Sequence, residues 1–123
     1  MTVQKILGNI MDTDHHIRYA TICDMEGNEV GKTVREGVTP MLNDEEHKET
    51  LRYAVSAWKT RAKFAPKIGK GKYVLAVYEN LRRLTMPLGT KHLLLITWGT
   101  DGGTQDIVTH IQNMFSGDPT LDW

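Results

Sequence analysis

The sequence predicts an α+β three-layer sandwich: a five-stranded antiparallel sheet with one central helix on one face and the two terminal helices on the other. Three observations lead there. Segments of helical and strand periodicity follow one another in the order helix, strand, strand, helix, strand, strand, strand, helix. The turns between successive strand-like runs are short, which suits antiparallel neighbours. Two of those runs have no polar side, and a sheet apolar on both sides must be covered on both sides.

Each element has its own signal. Val3, Ile6, Leu7, Ile10 and Met11 fall at i, i+3, i+4, i+7 and i+8, the stripe of a helix with one buried side. The stretch from Met1 to Met11 runs into Asp12 and Asp14 without a basic leader or a small-residue cleavage site, so it is expected to be structural. Ile17 to Cys23 and Glu29 to Arg35 flank Met25-Glu26-Gly27-Asn28, where Gly27 and Asn28 tolerate the positive φ of a tight hairpin. After a loop holding Pro40, Asn43 is placed as an N-cap with Glu46 completing a capping box. Leu51, Ala54, Val55, Trp58, Ala62 and Ala65 then keep helical spacing, and the helix is expected over 44–64, ended by Pro66. Three strands are expected at Lys72 to Tyr78, Leu81 to Met86 and His92 to Trp98, with turns at Glu79-Asn80 and Pro87 to Lys91. Ile107, Val108, Ile111, Met114 and Phe115 give the last helix, opened by Thr100 to Thr104 and closed by Gly117 and Pro119.

Composition narrows the class of function. The chain has 123 residues, of which 40% are hydrophobic, enough for one core and too few for two domains. No apolar run approaches the ~20 residues of a membrane span, and a cytoplasmic location is expected. Cys23 is alone, which excludes an internal disulfide and points to a small core residue. Formal net charge is zero, but the charges are segregated. From Lys59 to Lys91 there are nine basic residues and one acid, Glu79, so that stretch carries +8 and the remainder −8. Such polarity steers an acidic partner or a second copy of the chain. Nucleic acid is disfavoured by the overall neutrality and by the lack of aromatics interleaved on a known binding platform.

The element order and lengths over Val3 to Phe115 resemble the roadblock and longin type of domain. This profilin-like group includes the dynein light-chain roadblock proteins and bacterial and archaeal regulators of GTPases. The sequence is also similar to small archaeal proteins without an assigned activity. The resemblance implies one roadblock-like domain over 1–123, no enzymatic activity and no cofactor. It further implies a homodimer or heterodimer joined along the strand after the central helix and along that helix. By position the interface residues would be Leu51, Val55 and Trp58 on the helix and Lys72, Val74, Ala76 and Tyr78 on the strand. The implied partners are a second copy of the chain and a small GTPase or signalling protein. An alternative within the same group is a small-molecule sensor, with Trp58, Tyr73 and Trp98 lining an apolar pocket.

Motifs that carry chemistry are few. Gly69-Lys70-Gly71-Lys72 has glycine and lysine but not the Walker spacing, and a strand is expected to follow it. Asp101-Gly102-Gly103-Thr104 is a glycine-rich turn before a helix, a better geometry for an anion, although Asp and Thr are also ordinary helix caps. Lys70, Lys72, Gly102 and Gly103 are therefore the candidate anion-binding residues. Asp12, Asp14, His15 and His16 bring four potential ligands together, but adjacent histidines on an extended segment point to opposite sides, and no metal is expected there. His47 lacks the second histidine of His-Glu-x-x-His. His92 and His110 are isolated and expected to be partly buried. No nucleophile has an activating partner nearby in sequence, so no catalytic residue is assigned.

Overall fold

The computed structural model describes residues 2–123, so Met1 lies outside it. The elements are α1 (Val3–Thr13), β1 (Ile17–Asp24), β2 (Glu29–Val34), α2 (Asp44–Ile68), β3 (Val74–Val77), β4 (Arg82–Leu88), β5 (His92–Trp98) and α3 (Thr104–Phe115), followed by a 3-10 turn, Pro119–Leu121. The strands form one antiparallel sheet in the order β2-β1-β5-β4-β3. This is the α+β sandwich that the sequence predicts.

Alternation along the strands separates two cores. On one face Ala20 and Ile22 of β1, Leu84, Met86 and Leu88 of β4, and Leu94, Ile96 and Trp98 of β5 lie under α1 and α3. On the other, Tyr19, Cys23, Leu93 and Leu95 lie under Leu51, Ala54, Val55 and Trp58 of α2. β5 is the centre of the sheet and all seven of its residues are buried, which is why it has no polar side. α1 crosses close over β2: a Cβ at Gly31 would overlap the Val3 side chain.

Several boundaries differ from expectation for local reasons. α2 does not stop at Pro66 but runs to Ile68. Proline there removes one helical donor, and the turn still closes because the Gly69 N–H donates to the Ala65 carbonyl at 2.8 Å. Gly69 itself has a φ of +91°, the left-handed value that glycine accommodates. Pro87 lies inside β4, opposite Leu93, and not in the turn. β3 reaches only as far as the Val74–Thr85 pair, so no strand on that side of Pro87 needs its missing N–H. β3 is four residues long, because Tyr78 already turns, its N–H donating to the Leu81 carbonyl at 2.8 Å. α3 is capped by Gly103 without a side-chain bond, and the Thr104 hydroxyl accepts instead from the Trp98 indole N–H at 3.2 Å.

Candidate functional site

α2 is the element on which a surface can be built, because its sequence carries three stripes. Leu51, Ala54, Val55 and Trp58 face the sheet and are buried. Lys48, Arg52, Lys59 and Lys63 form an exposed basic stripe, whose Arg52, Lys59 and Lys63 line a cleft with Met25 and Glu26 of the β1–β2 turn. Tyr53, Ala57, Phe64 and Ile68, at i, i+4, i+11 and i+15, share a third side, which lies roughly 120° around the axis from the buried one. Tyr53 is 76% exposed and Ile68 83%. An apolar stripe of that kind on a helix already packed by another face is not required by its own fold.

β3 supplies the second exposed feature. It pairs only with β4, so its outer backbone row has no partner strand. Val77 is 63% exposed, and Tyr73 and Tyr78, which flank the strand, are exposed as well. The loop from α2 into β3 is fixed by a close approach. A Cβ at Gly71 would lie 2.6 Å from the Trp58 ring, so glycine lets the backbone cross the indole. The indole N–H donates to the Thr85 hydroxyl at 2.9 Å, which ties α2 to β4. Two guanidinium groups rest on aromatic rings beside these elements, Arg61 at 5.1 Å from the Trp58 centroid and Arg83 at 5.7 Å from that of Tyr78.

The interface residues expected from position are thus divided. Val74 and Ala76 stand half-buried on the edge strand, and Lys72 and Tyr78 flank it, exposed. Leu51, Val55 and Trp58 are core residues under the sheet-facing side of α2 and present nothing to a partner. The large apolar residues that α2 does expose are Tyr53, Phe64 and Ile68. Tyr53, Phe64 and Ile68 were readable as apolar residues off the first stripe, but the expectation fell on Leu51, Val55 and Trp58, the side that packs on the sheet.

The other candidate groups do not assemble as expected. Lys70 lines a mainly apolar groove of about 480 Å³ with Trp58, Arg61, Ala65 and Pro87. Gly102 lies at the opposite end of the sheet against Trp98 and His16, so the four anion candidates do not form one site. Trp58 and Trp98 belong to different faces, which removes a pocket lined by Trp58, Tyr73 and Trp98 together. Cys23 is buried, and desolvation, with Asp24 adding to it, pushes its thiol up to about 11, so it stays protonated and a poor nucleophile. His47 bonds Glu29 at 2.7 Å, a contact between α2 and β2. His92 is buried and stacks on Trp123 at 4.1 Å between centroids, and burial lowers its pKa. His110, expected to be partly buried, is exposed on α3. His15 and His16 do not point to opposite sides: the segment turns, and the two rings lie 3.9 Å apart at 37°.

No protein-family profile and no curated protein matches this sequence. Solved structures do. An MglB with a tetrameric arrangement superposes with a TM-score of 0.75 at 13% identity, over 97% of this chain and 84% of that one. A Roadblock/LC7 domain from Streptomyces avermitilis gives 0.70 at 9% identity, over 94% and 92%. The fold is that of the Roadblock/LC7 domains. Profilin IA of Acanthamoeba castellanii, at 0.61 and 11% identity over 92% and 95%, shares the same layered plan, so the likeness extends to the profilin-like group. No helix of the described residues is long and apolar enough to cross a membrane.

Proposed function

We propose that the chain is a non-enzymatic regulatory module that works in the cytoplasm as a homodimer. Its joint is the β3 edge together with the outer apolar stripe of α2, and the paired α2 helices present a composite surface to a small GTPase or another signalling protein. The observation that carries the reading is the coincidence of two unsatisfied features on consecutive elements: an edge strand with an open backbone row and exposed Tyr73, Val77 and Tyr78, and a helix with Tyr53, Phe64 and Ile68 turned to solvent. Open edges invite strand pairing, and proteins normally shield them with charge, proline or a cover. The Roadblock/LC7 fold supports the reading, as does the tetrameric arrangement named for the MglB neighbour. The basic stripe of α2, which neither feature uses, suits an acidic partner surface.

Sedimentation tests the assembly. The wild type should sediment above the 13.9 kDa of one chain at tens of micromolar. Val77→Lys places charge on the edge and keeps its amide, and Phe64→Glu does the same on the helix stripe. Both should move toward monomer while their far-ultraviolet dichroism stays native. A wild type that sediments as one chain throughout sinks the homodimer.

A further inference from the structure

The turn between α1 and β1 gathers chemistry that the proposed function does not use. One donor atom from each of Asp14, His15 and His16 lies within 4.8 Å of the other two. The turn is held in place. Arg35 donates from Nε to the Ile17 carbonyl at 2.7 Å, and from Nη2 to the carbonyls of Met11 at 2.7 Å and Asp14 at 3.1 Å, which ties the end of α1 to the start of β1. Asp14 Oδ1 accepts the backbone N–H of His16 and also meets His16 Nδ1, both at 2.8 Å. Oδ1 and Nδ1 stand 2.8 Å apart, near the ~3.3 Å that two ligands of one tetrahedral ion require, so an ion can take the place of the proton they share. Oδ2 of Asp14 is not engaged in either bond. A cleft of about 210 Å³ beside this turn is lined by His15, His16 and, from the turn before α3, Asp101, a further oxygen donor from a separate part of the chain.

We propose that Asp14, His15 and His16 bind a divalent transition metal of the Zn²⁺ type, with Asp101 or water completing the shell. Two imidazoles and a carboxylate suit Zn²⁺, Ni²⁺, Co²⁺ or Cu²⁺ and not the all-oxygen shells of Ca²⁺ and Mg²⁺. A tetrahedral ion at ~2.0 Å from its ligands sets donors ~3.3 Å apart. Side-chain rotation closes the remaining gap, and His15, exposed, has room to make it. Arg18 and Arg35 also line the cleft and oppose a cation. Three carbonyl oxygens surround the Arg35 guanidinium, and Arg18 Nη2 is drawn to the Thr39 carbonyl at 3.0 Å. Asp14 and Asp101 offset their charge. A bound ion would join α1 to β1 and so stabilise the fold by linkage.

The test uses the full chain with any histidine tag removed. Calorimetry with Zn²⁺ and visible absorption with Co²⁺ should show one site of micromolar affinity, and Zn²⁺ should raise the melting temperature. His15→Gln, which keeps a polar, exposed side chain, should weaken binding at least about tenfold. His110→Ala, on the exposed side of α3, should leave it unchanged. The proposal falls if neither Zn²⁺ nor Co²⁺ binds below millimolar concentration, or if His15→Gln and Asp14→Asn both bind like the wild type.

Discussion

Trp58 shows how one side chain sets the position of two elements. Its ring fills the core under α2, its N–H reaches Thr85 of β4, and its outer edge is crossed by the Gly71 backbone. The helical spacing of Leu51, Val55 and Trp58 made them legible as a core stripe. Position within a resembling family also marked them as interface, and the two readings cannot both hold for one side of a helix. The energetics of the Trp58–Thr85 bond can be isolated. Thr85→Val leaves the buried indole N–H without an acceptor and should cost about 1–3 kcal/mol in urea denaturation. In a Trp58→Phe background no donor is orphaned, so the same Thr85→Val change should cost clearly less. Equal costs in the two backgrounds would mean that the bond contributes nothing to stability.

At the scale of elements, what the sequence disclosed was what local chemistry decides. The α2 start is an example: the Asn43 side chain accepts the Glu46 N–H and the Glu46 carboxylate accepts the Asn43 N–H, both at 2.9 Å, the reciprocal box that Asn43 and Glu46 announce. Asn43→Ala breaks it and should lower stability by about 1 kcal/mol, with the loss read from the midpoint of chemical denaturation. An unchanged midpoint would show that α2 is held by packing alone. The elements misjudged from sequence are those whose ends are set by distant contacts. Pro87 is tolerated in β4 because β3 is short, and β3 is short because Tyr78 bonds Leu81 and Gly71 is committed to Trp58. Likewise the His15–His16 turn exists because Arg35, about twenty residues away, gathers three carbonyls around it. No periodicity in the turn itself records that.

For the whole molecule, the number of chains in the folded unit decides how stability depends on concentration. A monomer unfolds at a temperature independent of protein concentration, whereas a dimer that unfolds to two free chains follows mass action. With α2 and β3 as the joint, a tenfold rise in wild-type concentration adds about 1.4 kcal/mol per dimer to the folded side. For a chain of 123 residues that corresponds to a rise of roughly 3 °C in the melting temperature. Val77→Lys and Phe64→Glu remove the assembly and should unfold at a temperature that no longer changes with concentration. The comparison separates the joint from the fold. A variant that is merely destabilised keeps the wild-type slope at a lower temperature, and one that has lost its partner loses the slope. A wild type that melts reversibly at the same temperature over a hundredfold range of concentration would place Tyr53, Phe64, Ile68 and Val77 on the surface of a monomer and end the homodimer reading.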